Sequence, residues 1–222
     1  MIICKNICKE YVSGVRFQAL NEVTFHVEKG EFCALIGHSG SGKSTMLNMV
    51  GLIDTPTRGE IYLDGISVSG MSVMQMAKVR NEKIGYVFQS FFLENSYSVT
   101  KNVEMPLLIA GKTKEQRHER VLECLDYVGM LPKKDASISA LSGGEKQRVC
   151  IARAIANNPQ IILADEPCGN LDTDNSEKVM SLLESLNKKG TTILLVTHDL
   201  EDVKHASHVV KLRDGKVILD EK

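Results

Sequence analysis

The chain has 222 residues, 43% of them apolar and 25% charged, with 27 Lys and Arg against 28 Asp and Glu. That length fits one large domain, or a core with a smaller helical insert. The near-zero charge balance excludes a bulk attraction to nucleic acid or anionic lipid, and no apolar run approaches the roughly 20 residues of a membrane span.

In chain order, residues 2–12 and 20–28 alternate enough to predict antiparallel strands, with a turn at Val12-Ser13-Gly14-Val15. The apolar run Phe32-Cys-Ala-Leu-Ile36 reads as a buried strand. It runs into Gly37-His38-Ser39-Gly40-Ser41-Gly42-Lys43-Ser44-Thr45. This fits the pattern G-x-x-x-x-G-K-S, in which glycines let backbone N–H groups turn inward on a phosphate. Lys43 can reach β- and γ-phosphate oxygens, and Ser44 can offer its hydroxyl to Mg²⁺. A helix from Thr45 to near Asp54-Thr-Pro56 adds the partial positive charge of its N-terminus. Glu60–Asp64 reads as a strand closing in a turn at Gly65, residues 72–82 as a helix, and Lys83–Phe88 as a strand ending at Gln89.

From about 90 to 140 the chain changes character. Val121, Leu122, Leu125 and Val128 fall at helical spacing among charged residues, which predicts a helical subdomain within roughly 90–157. Ser142 is the expected N-cap of a helix reaching about 157. The strand Ile161–Ala164 then delivers Asp165 and Glu166 to the crevice where α/β sheets bind ligands. Asp165 is placed to hold Mg²⁺ through water, and Glu166 to position the water that attacks a γ-phosphorus. Taken alone, two acids at a strand end could equally be solvated. A helix over 174–187, an almost continuously apolar strand 191–197 and a hairpin from His208 through an Asp214-Gly215 turn complete the pattern.

Leu141-Ser142-Gly143-Gly144-Glu145 narrows this further. Ser-Gly-Gly before a helix is good capping chemistry in any protein. Lying 23 residues before Asp165 and downstream of the phosphate loop, it resembles the signature motif of the ABC (ATP-binding cassette) ATPases. The resemblance covers nearly the whole chain, with the motifs in family order. It implies an α/β fold: a P-loop ATPase core with a mainly parallel sheet, an antiparallel β subdomain and a helical signature subdomain, all in one nucleotide-binding domain over 1–222. It implies ATP and Mg²⁺ as ligands, and a homodimer in which Ser142, Gly143, Gly144 and Glu145 reach the γ-phosphate of the ATP on the partner copy's P-loop. Tyr11 lies where the family stacks an aromatic ring on adenine; a core or edge-strand tyrosine is the alternative. Gln89 matches the Q-loop glutamine that senses Mg²⁺, Gly169–Asp172 the D-loop that crosses the dimer interface, and His198 the switch histidine. His205 and His208 are expected at the surface, and His118 on a solvated helix face.

In finer texture, Arg80–Ser90 and Ala164–Asp172 resemble the branch of lipoprotein-release, macrolide-export and antimicrobial-peptide-resistance ATPases. That likeness implies an integral membrane permease docked near 89–106, export or extraction of a peptide, lipid-linked or drug-like substrate, and a peripheral position on the inner face of the cell membrane. A regulatory ATPase whose membrane partner signals rather than transports is the alternative. One cassette without sustained heptads disfavours the branch acting on DNA or ribosomes, and the signature with His198 disfavours a simple P-loop kinase. Six cysteines (4, 8, 33, 124, 150 and 168) form no CxxC pair and no zinc spacing, so reduced buried thiols in a cytosolic protein are expected. The N-terminus lacks a signal peptide's layout. Two positions depart from the family: His38 replaces a common proline, and Cys168 replaces a usual threonine, which predicts sensitivity to thiol modification.

Overall fold

A computed structural model describes residues 1–222, with every side chain but those of Ser13 and Val15. Ten strands form two sheets. The smaller is antiparallel in the order β2-β1-β4-β5: β1 (Ile2–Ser13), β2 (Val15–Val27), β4 (Arg58–Leu63) and β5 (Ile66–Ser67). The larger runs β10-β9-β3-β8-β7-β6: β3 (Phe32–Ile36), β6 (Ile84–Phe88), β7 (Ile161–Asp165), β8 (Thr192–Thr197), β9 (His208–Arg213) and β10 (Lys216–Glu221). Its β6, β7, β8, β3 and β9 are parallel, and β10 closes the edge antiparallel to β9. The α/β architecture is the one implied by the sequence motifs.

The larger sheet divides two apolar cores, which explains why its strands read as unbroken apolar runs rather than alternations. Ile162, Ala164, Ile193 and Leu195 face one core with α3 (Val99–Ile109), α4 (Lys114–Tyr127), α5 (Gly143–Ala154) and α6 (Thr173–Lys188). Ile161, Leu163, Leu194 and Val196 face the other with α1 (Lys43–Val50) and the antiparallel sheet. Helices α3 to α6 thus share their core with one sheet face. Burying each large aliphatic side chain contributes about 1.5–3 kcal/mol, against about 1 kcal/mol for a helix cap. Packing on the sheet therefore decides where these helices lie, and their caps decide where they start.

Three expectations need correction. The first helix ends at Val50 instead of near Asp54, because Leu52 turns into the left-handed region (φ 56°) and its carbonyl accepts from Arg80 Nη1 at 2.6 Å, from α2 (Val73–Lys83). His208 is fully buried on β9, with Nε2 at 2.5 Å from Asp220 Oδ1 on β10. His205 is half-buried against Glu184 of α6. A buried imidazole next to a carboxylate reads in sequence like any surface histidine, because only the strand order brings the two together. The final hairpin turns at Asp214 and Gly215, both at positive φ, as this turn chemistry demands. All six cysteines are buried and unbridged. No described helix is long and apolar enough to cross a membrane.

Candidate active site

The loop between β3 and α1 wraps a cavity of about 830 Å³, lined by Gly37, His38, Ser39, Gly40, Gly42, Lys43, Ser44 and Thr45. Glu166 and His198 stand on its rim. The loop is anchored from beneath. Gly215 N donates to Ser41 O (3.1 Å) and Asn21 N to Gly215 O (2.8 Å), so the C-terminal hairpin and β2 both hold it. Gly42 caps α1 at φ 103°, and a Cβ there would lie 2.8 Å from Ala19 O, so only glycine fits. Ser41 is buried with its hydroxyl lacking a protein partner.

Lys43 is buried, and its Nζ donates to Gly37 O (2.7 Å) and His38 O (3.0 Å). Burial lowers its proton affinity, and Glu166 and Asp165 work against that. Asp165, the last residue of β7, is pushed up by burial and by Glu166, while Lys43 holds it down. The two adjacent carboxylates of Asp165 and Glu166 are hard oxygen donors of the kind a divalent cation takes. Among the described residues there is no cluster of three or more His, Cys, Asp or Glu placed to hold a metal. Mg²⁺ needs none, since it is held through one or two carboxylates together with phosphate oxygens and water. The donor set therefore fits that ion and argues against an all-protein metal cage.

Glu166 follows β7 in the left-handed region (φ 43°), with its N–H donating to Val196 O of β8 at 2.8 Å. This sharp exit aims the carboxylate back over the sheet's end, where Oε1 lies 2.9 Å from His198 Nδ1. Two residues separated by 32 positions thus meet as a pair. Non-glycine residues in this region cost of order 1–3 kcal/mol and persist only where neighbouring structure holds them.

The other expected residues lie apart from this cavity. Ser142 caps α5 in a reciprocal capping box: its Oγ accepts from Glu145 N (3.3 Å), and Glu145 Oε2 accepts from Ser142 N (3.0 Å). Lys133, at 2.5 Å, holds Glu145 below the usual carboxylate range. Gly144 is required by its own chain, since a Cβ would come 2.2 Å from Asn175 Oδ1 on α6. Gly143 is the half-buried glycine beside Ser142, with Leu171 no closer than 3.5 Å to an added Cβ. Asp172 caps α6 by accepting from Asn175 N at 2.9 Å. Gln89 accepts at its backbone oxygen from Asn170 Nδ2 (3.1 Å), and its side-chain amide faces Gly169. None of these residues lines the cavity of Lys43.

Tyr11 does not line it either; its hydroxyl donates to Asp54 at 3.1 Å. Phe17, its direct cross-strand partner, does line it and is 59% exposed. The two residues are paired across the strands, yet Tyr11 turns to Asp54 and leaves Phe17 as the ring on the cavity. Phe17 carried no signal in the sequence, because its position opposite Tyr11 depends on the register of β1 and β2. Lys211, Leu200 and Val203 also line the cavity and escaped notice for the same kind of reason. Cys168 is buried, and burial raises its thiol to about 12. A reactive cysteine needs a thiolate, so this burial works against the expected thiol sensitivity.

The family described as ABC transporter matches residues 20–169. The ABC transporter ATP-binding protein MJ1508 of Methanocaldococcus jannaschii is 45% identical over 219 residues, covering 98% of both chains. A second ATP-binding protein of that organism, MJ0796, is 43% identical over 228 residues, covering 100% of this chain and 97% of its own. The solved dimeric structure of MJ0796, described as an ABC transporter cassette, superposes with a TM-score of 0.93 at 42% identity, over 100% of this chain and 98% of that one. A dimeric post-hydrolysis state of the same cassette, bound to ADP and Pi, also gives 0.93, at 42% identity and with the same 100% and 98% coverage.

Proposed function

The chain belongs to the ABC transporter family of ATP-binding proteins, and from that premise we propose that it is the ATP-hydrolysing subunit of a membrane complex and works as a homodimer. The observation that carries this reading is the split of the site. Lys43, Glu166 and His198 share one cavity, while the Ser142 cap, complete in itself, lies outside it. A second copy would supply the missing donors, as the dimeric relative supports.

In this mechanism the P-loop N–H groups and the α1 N-terminus bind the phosphates of ATP, and Lys43 leaves its loop carbonyls for the β- and γ-oxygens. Ser44, Asp165 and Gln89 would hold Mg²⁺, which supplies charge neutralisation between the phosphates. Glu166 orients the attacking water and takes up its proton, and His198 steadies Glu166 and donates toward the γ-phosphate. Ser142 and Gly143 of the second copy close on the same phosphate. Each hydrogen bond to charged phosphate is worth roughly 1.5–3 kcal/mol, so a few spanning contacts hold the dimer until hydrolysis removes their target.

Phe17, which lines the cavity, is the proposed platform for the base, and Tyr11 is its cross-strand partner. Replacing both by Ala is expected to weaken ATP binding by about 1–3 kcal/mol, the worth of base–aromatic stacking, with kcat little changed. Steady-state kinetics checks this, and an unchanged KM would remove the platform from the site.

The surface between the end of β6 and α3 is the proposed dock for the permease. Phe92, Met105 and Ile109 line a groove of about 560 Å³ there. Phe92 and Ile109 are 66% and 71% exposed. Scattered apolar residues need no explanation, but a contiguous groove of them marks a partner site. The branch likeness supports export or extraction of a peptide, lipid-linked or drug-like substrate. Cross-linking from position 92 in native membranes is expected to capture an integral membrane protein. Capture of soluble proteins alone would sink the transport reading.

A further inference from the structure

The His198–Glu166 contact raises a positional problem. The His198 side chain is 67% exposed, so its own packing does not hold it, yet its ring sits 2.9 Å from Glu166. Exposed side chains lose rotamer freedom only when something fixes them. The fixing groups lie beneath the turn. Thr197, the last residue of β8, is 2% exposed, and Asp202 is 5% exposed. Thr197 Oγ1 lies 3.1 Å from Asp202 Oδ2 and accepts from Asp199 N at 3.0 Å. Because Asp199 N–H occupies an acceptor site of the hydroxyl, the hydroxyl proton is free to point at Asp202. Asp199 Oδ1 in turn accepts from Glu201 N (2.9 Å), capping the short helix α7 (Leu200–Val203) that carries Asp202.

Resting on the ATPase reading above, we propose that Thr197 and Asp202 form a buried relay that positions His198 for the γ-phosphate and for Glu166. One hydroxyl joins the strand end, the turn and α7, and His198 is the residue held between its two bonds. Neither Thr197 nor Asp202 touches the nucleotide cavity, so both are positioning residues. Burial raises the proton affinity of Asp202, and the hydrogen bond from Thr197 opposes the rise. A buried carboxylate is costly without its donor.

The test compares Thr197→Val, which keeps the shape and removes the hydroxyl, with Thr197→Ser, which keeps the hydroxyl. Asp202→Ala and the double Thr197→Val/Asp202→Ala complete the set. The full chain is assayed for ATPase kinetics, with ADP affinity and thermal melting measured alongside. Misplacing a catalytic group by about 1 Å costs up to about 100-fold, so Thr197→Val and Asp202→Ala are expected to lower kcat by about 10- to 100-fold. KM for ATP and ADP affinity should hold, and Thr197→Ser should restore the rate. The double variant lacks the unpartnered buried acid, so it should melt higher than Thr197→Val and yet remain as slow. The inference is overturned if Thr197→Val turns over normally, if Ser fails to rescue, or if the double variant regains both stability and rate. An inactive wild-type chain would instead overturn the ATPase reading and this inference with it.

Discussion

Replacing Glu166 by Gln is expected to slow ATP hydrolysis about 10²- to 10⁴-fold, the usual worth of a positioned acid–base group, and to leave an ATP-bound dimer that can be isolated. The geometry separates these two effects. Gln keeps the shape of Glu and can still accept from His198, so the contact at 2.9 Å and the left-handed turn that carries it should persist. What disappears is the charge that takes a proton from water. In the proposed mechanism phosphate binding depends on Lys43 and the loop N–H groups, which the substitution leaves untouched. Removing one negative charge beside Asp165 and Lys43 should favour ATP, if anything, because both carboxylates lie near the phosphate site. Phosphate release and size-exclusion chromatography with ATP check the two halves. Normal turnover, or a variant that stays monomeric with ATP, would remove Glu166 from its role.

Much of this site is legible in one dimension, and the reason is physical. A phosphate loop needs its lysine at a fixed offset from its glycines, so Gly37 to Thr45 declare themselves without a partner. Asp165 and Glu166 declare themselves because a strand covered on both faces can end in charge only where it leaves the core. The less legible residues depend on pairings between distant segments. Phe17 enters the cavity through the register of β1 with β2, and Lys211 through the place of β9 beside β3. His208 is buried because Asp220 lies across the final hairpin. Gly144 reads as room for a phosphate, and the structure shows Asn175 already occupying that side. Thr197 and Asp202 look like ordinary strand-end and helix residues until burial joins them. The domain's outline follows from periodicity, and its chemistry from spacing. The supports of that chemistry follow from topology.

On the proposed dimeric reading, in which the complete site belongs to two chains, a mixture of two inactive variants should recover activity. Lys43→Ala removes the phosphate grip from one chain, and Ser142→Arg places bulk and charge at the cap that must close on the partner's nucleotide. Each alone breaks both sites of a symmetric dimer, since an isologous interface repeats every defect. In a mixed dimer one site combines the intact P-loop of the second variant with the intact Ser142 of the first. With equal amounts and random pairing, about half the dimers are mixed and about a quarter of all sites are whole. ATPase activity is expected to approach that fraction of wild type. The Ser142 cap meets its own helix's needs through Glu145, so the native cap has no unpaired role within one chain. On the proposed reading, its remaining capacity at the N-terminus of α5 serves an anion held by the second copy. The same logic predicts that wild-type activity per chain rises with chain concentration until the dimer saturates. A mixture no more active than its parts, with wild-type turnover per chain independent of dilution, would place the whole reaction within one copy.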